Sequence, residues 1–81
     1  MTHELKITNH WYSQLFAGKK KFELRNNDRN FQVGDVLKFT VLDGRGNESP
    51  SPLRWYISYV LKHDECVGLE PGYCILSLIV Y

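Results

Sequence analysis

Turn-forming residues cut this chain into short segments, and its 81 residues allow only one small core. A domain of this size buries little more than half of the surface that its unfolded chain exposes. Separate catalytic and cofactor domains do not fit, so we expect residues 1–81 to form a single domain. Four Phe, five Tyr and two Trp indicate that aromatic side chains, rather than disulfides or a metal ion, close the core.

Alternating polar and apolar residues predict five strands. These strands are residues 3–7, 21–25, 36–42, 53–61 and 73–81. In the second strand, alternation separates Phe22 and Leu24 from Glu23 and Arg25. We expect the first pair to face the core and the second pair to lie on the opposite face. Residues 43–52 lack apolar side chains and are expected to form an exposed loop.

A single helix is predicted over residues 9–17, directly after the first strand. Trp11, Tyr12, Leu15 and Phe16 recur at helical spacing, and Gly18 stands where a left-handed residue would end the helix. Five strands and one early helix favour a mainly β, α+β fold, namely a small closed or nearly closed barrel of about five strands.

Positive charge is concentrated in one segment of the chain. The net charge is +1, but residues 19–29 hold five basic and two acidic side chains, a local +3, which leaves −2 for the rest. A basic stretch of this kind is typical of a surface that contacts nucleic acid.

Several classes of protein are disfavoured by what the sequence lacks. No apolar run approaches the ~20 residues that span a bilayer, and the N-terminus does not resemble a signal peptide. The only cysteines, Cys66 and Cys74, do not form a disulfide framework, so we expect a cytoplasmic protein with reduced thiols. His63 could join them at a metal ion, but no paired Cys motif or fourth ligand is evident. We therefore expect no metal and no cofactor, and we assign Cys74 to the core.

The spacing Gly18-x-Lys20-x-x-Glu23-x-Arg25 resembles the signature of ASCH domains, which belong to the PUA-like β-barrels. Further segments resemble those of a subgroup of small bacterial and phage proteins, DUF3850. These segments are residues 3–6, Phe31-x-Val33-Gly34-Asp35, Gly68-Leu69 and Gly72-Tyr73. The resemblance implies a PUA-like barrel and a link with RNA or modified nucleosides.

Three side chains of the motif could form an oriented polar cleft. Arg25 lies on the strand face of Glu23 and would keep that carboxylate ionised. Lys20 has the opposite alternation and must reach in from the turn after Gly18 or from a bulge. Lys20 and Arg25 could bind a phosphate or a base carbonyl, while Glu23 could accept a hydrogen bond from an exocyclic amine.

The residues leave three functions open. The first is RNA or nucleotide binding by Lys20, Glu23 and Arg25, with Lys19, Lys21 and Arg29 as outer phosphate contacts. The second is hydrolysis of a modified nucleoside, with Lys20 and Glu23 as catalytic residues. This function is implied by a subset of the ASCH family that resembles the acetylcytidine amidohydrolases, but that subset carries a Thr in place of Glu23 and a longer insertion before the last strand. The third is a phage or host protein-interaction module, and the polar residues would then be an ordinary exposed strand face.

Two further pairs of residues with aromatic side chains are weaker candidates for the site. Trp11 and Tyr12 could stack on a base, although aromatic residues at helical spacing more often belong to the core. A histidine is a common general base, but nothing in the sequence brings His3 or His63 to the motif.

Overall fold

The computed structural model describes residues 1–80 and contains five strands with one α-helix. The elements follow the order β1 (Thr2–Thr8), α1 (Asn9–Phe16), β2 (Phe22–Asn26), β3 (Val36–Leu42), β4 (Glu48–Lys62), a 3-10 turn (His63–Glu65) and β5 (Tyr73–Val80). This order confirms the predicted mainly β, α+β fold. Tyr81, predicted to end the last strand, lies outside the described residues.

The five strands form one curled sheet, a half-barrel, in the order β1-β3-β4-β5-β2. β1 pairs with β3 in parallel, and the other neighbours are antiparallel. Curling brings the two edge strands, β1 and β2, to face each other across a seam. Two arginine side chains bridge this seam. Arg25 donates to the carbonyl of Lys6 and Arg29 to that of Glu4, both at 2.8 Å.

The inner side of the half-barrel holds the apolar core. Its buried members are Leu5, Ile7, Leu15, Phe31, Leu37, Phe39, Trp55, Ile57, Cys74, Leu76 and Leu78. The helix covers this core with Leu15 and with Tyr12, whose ring packs edge-on against Trp55 at 5.6 Å. The predicted core positions Leu5, Ile7 and Cys74 are confirmed.

The helix ends as the sequence predicts, at a left-handed glycine. Gly18 has φ of +75°, and its N–H donates to the carbonyl of Leu15 at 3.0 Å, while the N–H of Lys19 donates to Gln14 at 3.1 Å. This is the Schellman arrangement. Only part of the predicted apolar stripe is covered, however, because Trp11 and Phe16 are 51% and 67% exposed.

The predicted loop over residues 43–52 is wrong in its second half. β4 begins at Glu48, and residues 48–50 pair with β3. The prolines Pro50 and Pro52 suggested a loop, but β5 joins β4 only from Trp55 onward. Among residues 1–80, the first half of β4 therefore pairs with β3 alone, and a missing N–H is tolerated there. The remaining turn is held by the Asp43 carboxylate, which accepts from two backbone N–H groups.

The predicted orientation of β2 is also wrong. Glu23 is buried at 5% exposure, whereas Phe22 and Leu24 are 48% and 54% exposed. Alternation correctly separates the two faces, but it cannot say which face is inside. Here the carboxylate turns inward because cations meet it there, as described below.

A buried pair fixes the start of β1. The Nε2 atom of His3 lies 2.7 Å from the carboxylate of Asp35, which also accepts from the backbone N–H of Gln32 at 3.1 Å. Burial acts to raise the pKa of Asp35, but these hydrogen bonds and the nearby N-terminal ammonium hold that pKa below its ordinary value. His3 therefore has a structural partner.

Candidate functional site

A cleft of about 580 Å³ opens along the seam between β1 and β2. Its size lies within the range of roughly 300 to 1,000 Å³ found for small-molecule sites. The second half of β1 and the first turn of α1 form one wall, and β2 with Lys20 from the turn before it forms the other. The lining residues are Lys6, Ile7, Thr8, Trp11, Lys20, Phe22, Glu23, Leu24, Arg25, Asn26 and Tyr73.

Three charged side chains meet in this cleft. The Nζ atom of Lys20 lies 2.6 Å from Glu23 Oε1, and both Nε and Nη2 of Arg25 lie 2.8 Å from Glu23 Oε2. The Glu23 side chain is 6% exposed, that of Lys20 15% and that of Arg25 24%. A buried carboxylate is tolerated only when it is paired in this way. The cluster as a whole carries one excess positive charge.

Lys20 reaches the cluster from outside the strand. It precedes β2, and its backbone N–H donates to the carbonyl of Gln14 at 3.0 Å, which anchors it to the helix end. Its ammonium lies 5.5 Å from the ring centre of Trp11 and 5.4 Å from that of Phe22, within the range of a cation–π contact. Lys20 therefore enters the cleft from the turn before β2, as its position in the alternation predicts.

Arg25 is fixed from two sides. Its Nε atom donates to Glu23, and its Nη2 atom donates to the carbonyl of Lys6 across the seam. Within residues 1–80, its Nη1 atom has no hydrogen-bond partner. The guanidinium thus holds the cleft together and still presents free donors.

The arrangement is suited to holding a ligand that offers acceptors. Both oxygens of Glu23 already accept from cations, so this carboxylate orients Lys20 and Arg25 rather than standing open to a substrate. Each cation keeps at least one N–H free, because an ammonium has three donors and a guanidinium five. Beside them, the half-exposed rings of Trp11 and Phe22 offer flat apolar surfaces.

Of the six predicted ligand-binding residues, the structure brings three into the cleft. Lys19 and Lys21 are exposed next to Lys20, and neither lines the cleft. Arg29 is bound to the carbonyl of Glu4 at another point of the seam. Their role as outer phosphate contacts stays a prediction.

Of the four weaker candidates, one residue lies in the cleft and three do not. Trp11 lines the cleft, while Tyr12 belongs to the core and its hydroxyl bonds to that of Ser51. Neither His3 nor His63 reaches the cleft, because His3 faces Asp35 and His63 lies 3.4 Å from the carbonyl of Leu69.

Sequence reasoning missed several lining residues. The sequence predicts Phe22 and Leu24 in the core and indicates no site role for Lys6, Thr8, Asn26 and Tyr73, all of which line the cleft. The missing information is that β1 and β2 are the sheet edges. The motif itself held one usable signal, since Glu23 and Arg25 on one face suggest a polar interior.

The remaining functional groups lie elsewhere in the described chain. Within residues 1–80, no three His, Cys, Asp or Glu side chains are grouped so as to hold a metal ion. Cys74 lies in the core, where burial and, to a smaller extent, the charge of Asp28 raise its pKa. None of the helices in this range is long and apolar enough to cross a membrane.

The chain belongs to the family described as a domain of unknown function, DUF3850, whose model matches residues 2–78. This match confirms the DUF3850 resemblance, and it spans every element that lines the cleft. None of the curated proteins matches the chain.

Proposed function

We propose that this chain is a PUA-like module of the ASCH type that binds RNA or a nucleotide in the seam cleft. One observation carries the proposal: Lys20 and Arg25 are fixed by a buried carboxylate beside two half-exposed aromatic rings. Both cysteines are free, which fits a reducing compartment, so we place the domain in the cytoplasm.

The two aromatic rings of the cleft provide a surface on which a nucleobase can stack. Trp11 is 51% and Phe22 48% exposed, and both line the cleft, so their rings are open to a ligand that enters it. A nucleobase stacks on rings of this kind with about 1 to 3 kcal/mol per base. Because bases are stacked within duplexes, a single-stranded RNA or a free nucleotide is the ligand that can reach them.

The two cations provide donors for the phosphate or carbonyl oxygens of the ligand. Lys20 and Arg25 lie on the same carboxylate, so a phosphate or a base carbonyl near Glu23 can contact both. Since the cluster has one excess positive charge, an incoming phosphate is attracted rather than repelled. Lys19 and Lys21 next to the cleft add attraction for the flanking phosphates of a longer strand.

Binding is favoured over catalysis by the state of Glu23. A proton-transfer group must present a free acceptor to the substrate proton, but Glu23 is only 5% exposed, and Lys20 and Arg25 take three of the about four acceptor sites of its carboxylate. We therefore give Glu23 a positioning role. The hydrolase hypothesis would require this cluster to open.

The test measures binding of a labelled short single-stranded RNA and of mononucleotides at several salt concentrations. Lys20→Ala should weaken binding and lower the slope of log K against log salt by about 0.7, the value for one lost phosphate contact on a single strand. The matched control is Lys38→Ala, which removes the same charge from β3 outside the cleft. That control should leave the affinity nearly unchanged.

The same preparation is incubated with an acetylated cytidine. Turnover that falls by a factor on the order of 10² to 10⁴ in Glu23→Gln would replace the binding proposal with the hydrolase. Equal effects of Lys20→Ala and Lys38→Ala would remove the cleft as the binding site. Neither turnover nor RNA binding would leave the protein-interaction hypothesis.

A further inference from the structure

The outer side of strands β2, β5 and β4 forms a continuous face without charge. Cross-strand pairing arranges its side chains in three rows. The rows are Tyr56–Ile79, Tyr59–Ser77–Phe22 and Leu61–Ile75–Leu24. We call these residues the outer apolar face. The chain has ten basic and nine acidic residues, so three successive rows without any of them are notable.

Large side chains of this face are open to solvent. Phe22, Leu24, Tyr59 and Ile79 are 48%, 54%, 50% and 56% exposed. The helix packs against β1 and β3, and the core fills the inner side of the sheet. Within residues 1–80, these four side chains are left open on the outer side of the sheet. A contiguous exposed apolar patch of several hundred Å² is often functional.

We propose that two copies of this chain pair through the outer apolar face. A charged partner would find no opposite charge there, so the partner must present an uncharged apolar surface. The chain itself has one, and a two-fold axis brings the same patch of both copies together. With a net charge of +1, two copies repel each other only weakly.

The size of the face sets the strength of the dimer. Half-exposed side chains in three rows offer on the order of 500 Å² per copy, near the upper limit for the largest patch of a monomer. Two copies then bury about 1,000 Å², the lower limit for a specific interface. Packing of two sheets face to face, about 10 Å apart, suits such a surface. The dimer is therefore weak, with a Kd on the order of 10 to 100 µM.

The boundary of the face resembles that of an interface. In the next row on the same side, Lys38 pairs with Arg54 and restores charge, which gives the polar rim that interfaces have. On the other side, Phe22 and Leu24 also line the seam cleft. The two clefts of a dimer would thus border the interface. Phe22 would then pack against the second copy, which leaves Trp11 as the stacking ring of each cleft in the dimer. Dimerisation itself needs no ligand in the cleft.

The experiment is sedimentation equilibrium of the full chain from 5 µM to 1 mM, a range that brackets the expected Kd. The mass should rise from 9.5 kDa toward twice that value, 19 kDa. Tyr59→Lys and Ile79→Lys, tested singly, alter the face without touching the cleft. Each should raise the Kd at least tenfold. The control Val67→Lys replaces an exposed valine in the turn before β5 and should leave the Kd unchanged.

The wild-type series alone can refute the proposal, even if a variant unfolds. A chain that stays at 9.5 kDa throughout the series would overturn it. A dimer that survives both substitutions, as judged with variants whose circular dichroism matches the wild type, would place the contact elsewhere. A dimer weakened as much by Val67→Lys as by Ile79→Lys would do the same.

Discussion

Exchanging Glu23 for Gln should destabilise this protein more than exchanging Leu24 for Ala, the reverse of what alternation alone suggests. Glu23 is buried and bonded to two cations, whereas Leu24 is 54% exposed on the outer side. The substitution Glu23→Gln removes the charge and turns an amide N–H₂ toward Lys20 or Arg25, both of which can only donate. Leu24→Ala removes side-chain atoms that are already partly hydrated.

The magnitudes follow from burial. Breaking a fully buried ion pair costs about 3 to 5 kcal/mol, but Lys20 and Arg25 are 15% and 24% exposed and can turn toward water. We therefore expect Glu23→Gln to cost about 2 to 4 kcal/mol in the free energy of unfolding. A buried Leu→Ala change costs about 2 to 5 kcal/mol. For the half-exposed Leu24, about 1 kcal/mol is expected.

Thermal unfolding followed by circular dichroism, at micromolar protein, separates these values. For a domain of this size, 1 kcal/mol shifts Tm by about 4 to 8 °C. Glu23→Gln should lower Tm by roughly 8 to 30 °C and Leu24→Ala by less than about 8 °C. The control Glu4→Gln, on the exposed side of β1, should change it little. A larger loss for Leu24→Ala would mean that β2 is shifted by one residue and that Glu23 faces solvent.

Three further predictions concern other parts of the fold. The folded protein holds the pKa of Asp35 below its ordinary value of 3.8. The ionised carboxylate therefore stabilises the fold above pH 3.8, and this contribution is lost as the pH falls through the pKa of the folded state. In urea unfolding, the difference in unfolding free energy between wild type and Asp35→Asn should shrink from about pH 6 to about pH 2, and a difference that grows would contradict this. Burial raises the pKa of Cys74, so a thiol reagent should modify the partly exposed Cys66 in the folded protein and Cys74 only on unfolding; equal rates would argue against the core position. Shortening the Asp43–Asn47 turn should be tolerated in a thermal melt, whereas deleting residues 49–51 should unfold the chain because they lie in β4.

Local signals predicted much of this fold. Alternation placed Leu5 and Ile7 in the core, and Gly18 ended the helix, because both depend on chemistry within a few residues. The spacing of Lys20, Glu23 and Arg25 also predicted that the three side chains could meet. Their contact is decided by one turn and one strand, which the sequence describes directly.

The errors come from information that is not local. Alternation separates the faces of β2, but the sheet order β1-β3-β4-β5-β2 decides that β2 is an edge beside the cleft. Pro50 and Pro52 suggested a loop, since a proline removes a donor, yet within the described part of the chain the first half of β4 pairs with β3 alone. Trp11 shares the helical spacing of the core residues Tyr12 and Leu15. In a helix this short, the spacing alone does not show which of these side chains the sheet covers.

The most direct test of the cleft uses the two tryptophans of the chain, which stand in opposite environments. Trp11 is 51% exposed and lines the cleft, and Trp55 is 3% exposed in the core. In ¹⁵N-labelled protein each gives one indole N–H signal, assigned with Trp11→Phe. During titration with a short single-stranded RNA, a binding cleft predicts a progressive shift of the Trp11 signal while that of Trp55 stays in place. An unchanged Trp11 signal at an RNA concentration that saturates binding would contradict the account.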